Sequence, residues 1–111
     1  MDVTIYHNAR CSKSRATLGL LEQQGVTPQI VDYLNNPPDR ATLQALCERL
    51  GIAPHQLVRR GEAAAELSLT DDEAALEAML ANPILIERPI VVSGTKARIG
   101  RPPESVLEIL P

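Results

Sequence analysis

The sequence predicts an α/β domain in which helices flank a mixed four-stranded sheet. Three patterns indicate this class: a strand–helix–strand order at the start of the chain, helical periodicity in the middle, and a strand–strand–helix order at the end. A strand–helix–strand unit joins parallel neighbours by a right-handed crossover, whereas two strands that share a tight turn pair antiparallel. We therefore expect both kinds of pairing in one sheet, and a single domain over residues 1–111.

The first third of the chain supplies the parallel pair. Alternating apolar and polar residues predict a strand over 3–6, and the polar loop 7–12 then leads into a helix that ends near Gly25. The residues expected on the buried face of this helix are Ala16, Leu18, Leu20 and Leu21. A second apolar run predicts a strand over 29–34.

The middle of the chain is predicted to be a helical insertion. Asparagines and prolines over 35–38 break the chain, and Asp39 then caps a helix that ends at Gly51. The apolar stripe of this helix consists of Leu43, Leu46, Cys47 and Leu50. Pro54 suits the first position of a short helix. The capping-box spacing over 70–73 starts a further helix, which stops before the next Asn-Pro pair.

The end of the chain is predicted to be a hairpin followed by a last helix. Strands over 90–93 and 96–99 flank Gly94, which favours an antiparallel turn. The prolines after Arg101 open a helix whose apolar residues are Val106, Leu107 and Leu110. The complete order, βαβ, then helices, then ββα, is that of a thioredoxin-like fold with a helical insertion.

Composition argues against several classes of function. The net charge is -3, and Tyr6 and Tyr33 are the only aromatic residues, so the sequence lacks the basic footprint and stacking faces of nucleic-acid-binding proteins. No apolar run approaches the ~20 residues that span a bilayer, and no export leader is recognisable. We therefore expect no nucleic acid or membrane partner, and a cytoplasmic location. No spacing of His, Cys, Asp or Glu resembles a metal site, so we expect no metal and no bound cofactor.

Cys11 is the candidate nucleophile, because it lies where the first strand ends and the first helix begins. Free N–H groups and the helix dipole favour an anion at such a position, and Arg10, Lys13 and Arg15 add positive charge. These influences lower a thiol pKa and favour the nucleophilic thiolate. The alternative is an inert small residue, which is less expected in a polar, basic loop.

Two polar neighbours and a second cysteine complete the candidate thiol chemistry. Ser14 stands three residues after Cys11, which excludes a Cys-x-x-Cys site there, and could donate a hydrogen bond to a thiolate or an oxyanion. His7 could orient or polarise Cys11, or could be a solvated or core-lining histidine. Cys47 shares an apolar stripe and is predicted to be a buried small hydrophobe; its alternative role is a thiol that resolves Cys11.

Arginines stand at the ends of several predicted elements in a chain that is acidic overall. Planar guanidinium groups bind tetrahedral oxyanions by paired, charge-assisted hydrogen bonds. Each arginine could equally be a solvated surface residue, because spacing alone does not show convergence. The five are Arg59, Arg60, Arg88, Arg98 and Arg101.

Several motifs occur together along the chain. They are Tyr6-His7-Asn8, Cys11-Ser12-Lys13-Ser14-Arg15, Tyr33-Leu34 with Pro37-Pro38, Leu57-Val58-Arg59-Arg60, the segment 82–92, Arg98, and Arg101-Pro102. In this combination the sequence resembles the glutaredoxin-coupled arsenate reductases over essentially its whole length. The pairing of Cys11 with the segment 83–92 is the most specific part of the resemblance.

The resemblance implies a thioredoxin-like domain whose cysteine attacks arsenate, with glutathione as co-substrate, glutaredoxin as electron donor and arsenite as product. It makes Cys11 the nucleophile. His7 and Ser14 match positions associated with a lowered thiol pKa, and Pro89 matches a proline that is typically cis. The residues that match the oxyanion-binding triad are Arg59, Arg88 and Arg98.

Two other functions remain open at this point. One is a non-catalytic thioredoxin-like regulator or interaction module, similar to the Spx-type regulators that bind RNA polymerase. Those regulators commonly use a Cys-x-x-Cys switch, which Ser14 removes. The other is a thiol oxidoreductase that acts on another substrate.

Overall fold

The computed structural model describes residues 2–59 and 71–111, and its four strands form one mixed sheet. The strands are β1 (Val3–His7), β2 (Gln29–Asp32), β3 (Ile90–Ser93) and β4 (Lys96–Ile99), in the order β2-β1-β3-β4. β1 and β2 are parallel, while β1–β3 and β3–β4 are antiparallel. The predicted mixed four-stranded sheet is confirmed. β2 ends two residues earlier than predicted, because the N–H groups of Asn35 and Asn36 donate to the Asp32 carbonyl and turn the chain.

The helices follow the predicted order, with one change of type. The α-helices are α1 (Ser12–Gln23), α2 (Arg40–Leu50), α3 (Pro54–Leu57) and α4 (Asp72–Ala81), and 3₁₀ helices span Pro83–Leu85 and Pro103–Ile109. The last helix is therefore 3₁₀ and not α; at its start the Ser105 N–H donates to Pro102, three residues earlier. Within residues 2–59 and 71–111, no helix is long and apolar enough to cross a membrane.

The Cα positions cluster into two compact units. The sheet unit consists of Met1–Asn36 and Arg88–Pro111, and the helical unit consists of Pro37–Glu87. The sheet unit holds all four strands, α1 and the last 3₁₀ helix, whereas α2, α3 and α4 belong to the helical unit. A single domain over 1–111 stays a prediction.

A cluster of buried residues in the sheet unit is aliphatic. It consists of Val3, Ile5, Leu21, Val91, Val106 and Ile109, and Leu18 and Leu20 pack against them at the margin. The expected buried face of α1 is only partly right, because Ala16 is exposed and the fully buried residues of α1 are Ser14, Thr17 and Leu21. Two hydroxyls can be buried there because both are hydrogen-bonded; Thr17 Oγ1 donates to the Lys13 carbonyl at 2.8 Å.

The helical unit shows the predicted caps. The Asp39 carboxylate accepts the Thr42 N–H at 2.8 Å, and Gly51 ends α2 in the left-handed conformation at φ +73°. At the start of α4 the cap is Asp71, which accepts from the Glu73 N–H. Thr70, the first residue of the predicted capping box, lies outside the described residues.

Candidate active site

Cys11 is the N-cap residue of α1, with φ -93° and ψ 122°. An N-cap usually offers a side-chain oxygen to the free N–H groups of the first turn. The Cys11 side chain makes no such cap hydrogen bond, but the backbone N–H groups of Ser14 and Lys13 lower the pKa of its thiol. The loop that carries Cys11 directly follows β1, so the sheet and the helix together fix the position of the sulfur.

The surroundings of Cys11 favour its thiolate. Burial alone would raise the pKa of the Cys11 thiol. The N–H groups of Ser14 and Lys13, followed by the positive charges of Arg88 and Arg101, outweigh burial and hold this pKa below its ordinary value. Because the thiolate is the nucleophilic form of cysteine, this direction is the one that nucleophilic chemistry requires.

Arg101 contacts the sulfur directly. Its Nη2 donates to Cys11 Sγ at 3.6 Å, and its Nε donates to the Arg88 carbonyl at 2.9 Å. Two hydrogen bonds from one planar group fix the guanidinium in place. From the sequence, Arg101 is expected at the end of an element but not in the triad that the resemblance implies.

Topology was the signal that could have identified Arg101. Because β1 and β3 are antiparallel and β3 and β4 are antiparallel, the ends of β1 and β4 and the start of β3 meet at one edge of the sheet. Cys11 follows β1, Arg88 precedes β3 and Arg101 follows β4. The observed strand order therefore brings these three residues to the same edge.

Two members of the predicted triad have other hydrogen-bond partners. Arg98 lies within β4, where its Nε donates to Glu108 at 3.3 Å and its Nη1 donates to the Ala97 carbonyl at 2.9 Å. Arg59 belongs to the helical unit, where its N–H donates to the Leu85 carbonyl at 2.7 Å. The oxyanion-binding roles of Arg59 and Arg98 stay predictions.

His7 and Ser14 form a hydrogen-bonded pair behind the nucleophile. Ser14 Oγ lies 2.6 Å from His7 Nδ1 and accepts the Asn8 N–H at 3.0 Å. Burial lowers the pKa of His7; the carboxylate of Asp32 acts in the opposite direction, and Arg15 lowers the pKa further. In a neutral His7, Nδ1 can accept a hydrogen bond from the Ser14 hydroxyl group. The backbone N–H of Ser14 lowers the pKa of the Cys11 thiol, while its hydroxyl bonds to His7 and to the Asn8 N–H.

A proline and a glycine hold the two arginine segments together. The Arg88–Pro89 peptide bond is cis, as the resemblance implied, and the Arg101–Pro102 bond is also cis. The Gly100 N–H donates to the Pro89 carbonyl at 2.9 Å. A Cβ at Gly100 would lie 2.4 Å from Thr17 Oγ1, so the close approach of this segment to α1 requires glycine in this arrangement.

Cys47 differs from Cys11 in its surroundings. It is buried on α2, and burial, with the charge of Asp72 added, raises the pKa of its thiol. This is the environment expected of a small apolar residue. Both cysteines are free thiols. Within the described ranges, His, Cys, Asp and Glu form no group of three or more that could hold a metal ion.

Fold and site together describe a thioredoxin-like protein with a cysteine at the start of its first helix, where the thiol pKa is held below its ordinary value. A family model described as "ArsC family" matches residues 6–109, and the chain therefore belongs to the ArsC family. The uncharacterized protein YfgD of Escherichia coli is 54% identical over 97% of this chain and 96% of its own length. A protein of Rhizobium meliloti named arsenate reductase is 48% identical over 100% of this chain and 83% of its own length.

A solved structure supports the same relationship. The arsenate reductase from Vibrio cholerae matches with a TM-score of 0.92 and 48% identity, covering 99% of this chain and 98% of that chain. The family, the thioredoxin-like architecture and the mixed sheet expected from the sequence are thereby confirmed.

Proposed function

We propose that this protein is an arsenate reductase with Cys11 as its nucleophile. The observation that carries the proposal is the position of the Cys11 sulfur, which lies 3.6 Å from the Arg101 guanidinium and at the free N–H groups of α1. The relatives named arsenate reductase, which match almost the whole chain, support the choice of substrate.

The same groups that favour the thiolate also favour the approach of an oxyanion. A thiolate and arsenate are both negatively charged, so their encounter requires positive charge that faces both. Arg88 and Arg101 supply this charge beside Cys11. Preorganised donors of this kind stabilise the charge that develops on the oxygens as the sulfur attacks. Arg59 and Arg98, the other members of the predicted triad, would add donors once arsenate is bound.

The proposed reaction has three steps. The Cys11 sulfur attacks arsenic, an As–O bond breaks, and the oxygen leaves as water. The thiol of glutathione then attacks the Cys11 sulfur, and the electron pair of the S–As bond passes to arsenic, which leaves as arsenite. The mixed disulfide between Cys11 and glutathione is reduced by a second glutathione through glutaredoxin, and this step restores the thiolate.

An external thiol fits the cysteines of this chain. Ser14 occupies the position at which a Cys-x-x-Cys site would hold its second cysteine, and burial makes Cys47 a poor nucleophile because its pKa is raised. We therefore assign electron supply to glutathione as co-substrate and glutaredoxin as partner, without a bound cofactor. A reducing glutathione pool is a property of the cytoplasm, and we propose that location.

The test is arsenate-dependent oxidation of NADPH in the presence of glutathione, glutaredoxin and glutathione reductase. The wild-type rate should exceed the rate without protein, Cys11→Ser should abolish the difference, and Cys47→Ser is the matched control that should retain it. A rate that Cys11→Ser leaves unchanged would contradict the proposal. Turnover of a glutathionylated peptide without turnover of arsenate would instead identify a thiol oxidoreductase with another substrate.

A further inference from the structure

Asn8 lies between β1 and α1 and uses three different groups to hold the loop that carries the nucleophile. Its backbone N–H donates to Ser14 Oγ at 3.0 Å, its side-chain Oδ1 accepts the Arg10 N–H at 3.0 Å, and its carbonyl accepts the Cys11 N–H at 3.0 Å. The residue is only 8% exposed. A buried polar group is costly unless it is bonded, and here the N–H, Oδ1 and carbonyl of Asn8 are bonded to the loop around the thiol.

These bonds define where α1 begins. The bond from Arg10 closes an Asx turn, and the bond from Cys11 to the Asn8 carbonyl closes a tight turn over the same residues. The two turns together place Cys11 in the extended conformation of an N-cap. At that position the N–H groups of Ser14 and Lys13 favour the thiolate. The ionisation of the thiol therefore depends on the turn that Asn8 makes.

The chemical nature of the side chain matters as well as its shape. Aspartate could accept the same Arg10 N–H, since Asn and Asp both form Asx turns. It would, however, add a negative charge three residues from the thiolate. That charge would oppose the positive charges of Arg88 and Arg101, which favour the thiolate. Asparagine provides the acceptor without that charge.

We propose that Asn8 is a positioning residue for Cys11, whose neutral side-chain carbonyl fixes the N-cap of α1 around the nucleophile. This inference goes beyond the proposed function, because it concerns the thiol before any substrate binds. Its outcome is therefore independent of whether arsenate is reduced.

The test compares the pH midpoint of Cys11 alkylation by iodoacetamide in three variants of the full chain. Asn8→Ala removes the acceptor for Arg10 and should raise the midpoint by about half a pH unit, which is about a threefold loss of thiolate below the midpoint. Asn8→Asp keeps the acceptor and should also raise the midpoint, through its charge. Asn36→Ala, at an exposed asparagine of the same unit, should leave the midpoint unchanged.

Salt and unfolding measurements separate the contribution of the hydrogen-bond acceptor at position 8 from that of its charge. About 1 M NaCl should return the Asn8→Asp midpoint toward that of the wild type by screening, and should leave the Asn8→Ala shift in place. The free energy of unfolding should fall in Asn8→Ala and be largely kept in Asn8→Asp. Should Asn8→Ala fail to fold, the salt-dependent shift of Asn8→Asp still decides the matter. Wild-type midpoints in the folded Asn8 variants would overturn the proposal.

Discussion

Replacing Arg101 by alanine should raise the pKa of the Cys11 thiol. The guanidinium Nη2 lies 3.6 Å from the sulfur, and at this separation two unit charges attract by about 1 kcal/mol in bulk water. The bulk-water value is appropriate because Arg101 is exposed. An energy of this size corresponds to about one pKa unit, so the alkylation midpoint of Cys11 should rise by about that amount in Arg101→Ala.

A lysine at the same position separates charge from geometry. Arg101→Lys keeps the positive charge, so the alkylation midpoint should stay near that of the wild type. A single ammonium group loses the planar fork that bonds both the Arg88 carbonyl and the sulfur. Arsenate turnover in Arg101→Lys should therefore fall, by about 10²-fold if one preorganised donor is lost.

Arg98→Ala provides the comparison for the thiol measurement. Its guanidinium bonds Glu108 and the Ala97 carbonyl, so its removal should leave the Cys11 midpoint unchanged. Two results would refute the reasoning: an Arg101→Ala midpoint equal to that of the wild type, or equal shifts in Arg98→Ala and Arg101→Ala. The first would show that the contact does not stabilise the thiolate, and the second that the effect is one of net charge alone.

Four further results are expected. The alkylation midpoint of Cys11 should lie below the ~8.5 of a free cysteine, and a midpoint at or above that value would contradict the electrostatic account. The pKa of the Cys11 thiol is lower in the folded state than in the unfolded state, so its ionisation stabilises the fold. This stabilisation is complete above the unfolded-state pKa and is lost as the pH falls through the folded-state pKa. Urea unfolding of Cys11→Ser should lack this pH dependence. Cys47→Ala should keep full glutathione- and glutaredoxin-dependent turnover, with a slightly lower melting temperature. The prediction would be contradicted if Cys47→Ala lost turnover and mass spectrometry detected a Cys11–Cys47 disulfide in the arsenate-treated wild type. Lysine in place of any one arginine of the predicted triad should lower arsenate turnover, and wild-type rates in all three variants would show that the triad is misassigned. The three variants are Arg59→Lys, Arg88→Lys and Arg98→Lys.

Short-range chemistry explains which elements could be predicted. The bounds of β3 and β4 match the prediction because β-branched residues and the turn at Gly94 act within a few residues. The cap at Asp39 is equally local. The buried face of α1 was harder to predict, because burial of Ser14 and Thr17 depends on partners that a hydrophobic pattern does not contain.

The candidate site shows the same limit. Cys11 could be identified from the sequence, since a cysteine at a helix start is a local feature. The contact with Arg101 bridges 90 positions along the chain, and only strand order connects the two residues. The direction of the Ser14 hydroxyl was also beyond sequence reasoning, because donation toward a thiolate and bonding to His7 are both compatible with the same spacing.

In the proposed reaction the nucleophile Cys11 is also the N-cap residue of α1, so the chemistry at the sulfur and the environment of the first turn change together. As a thiolate, the sulfur carries a negative charge that the N–H groups of Lys13 and Ser14 favour. Once bonded to arsenic or to glutathione, the sulfur is neutral, and this attraction to the first turn of the helix is lost. The N-terminal turn of α1 should therefore respond to each step of the reaction. Hydrogen exchange at the N–H groups of Lys13 and Ser14 should accelerate while the sulfur is bonded to arsenic or glutathione, and slow again after reduction. A reducing partner would therefore bind while the first turn of α1 is less protected from exchange, and reduction would restore that protection.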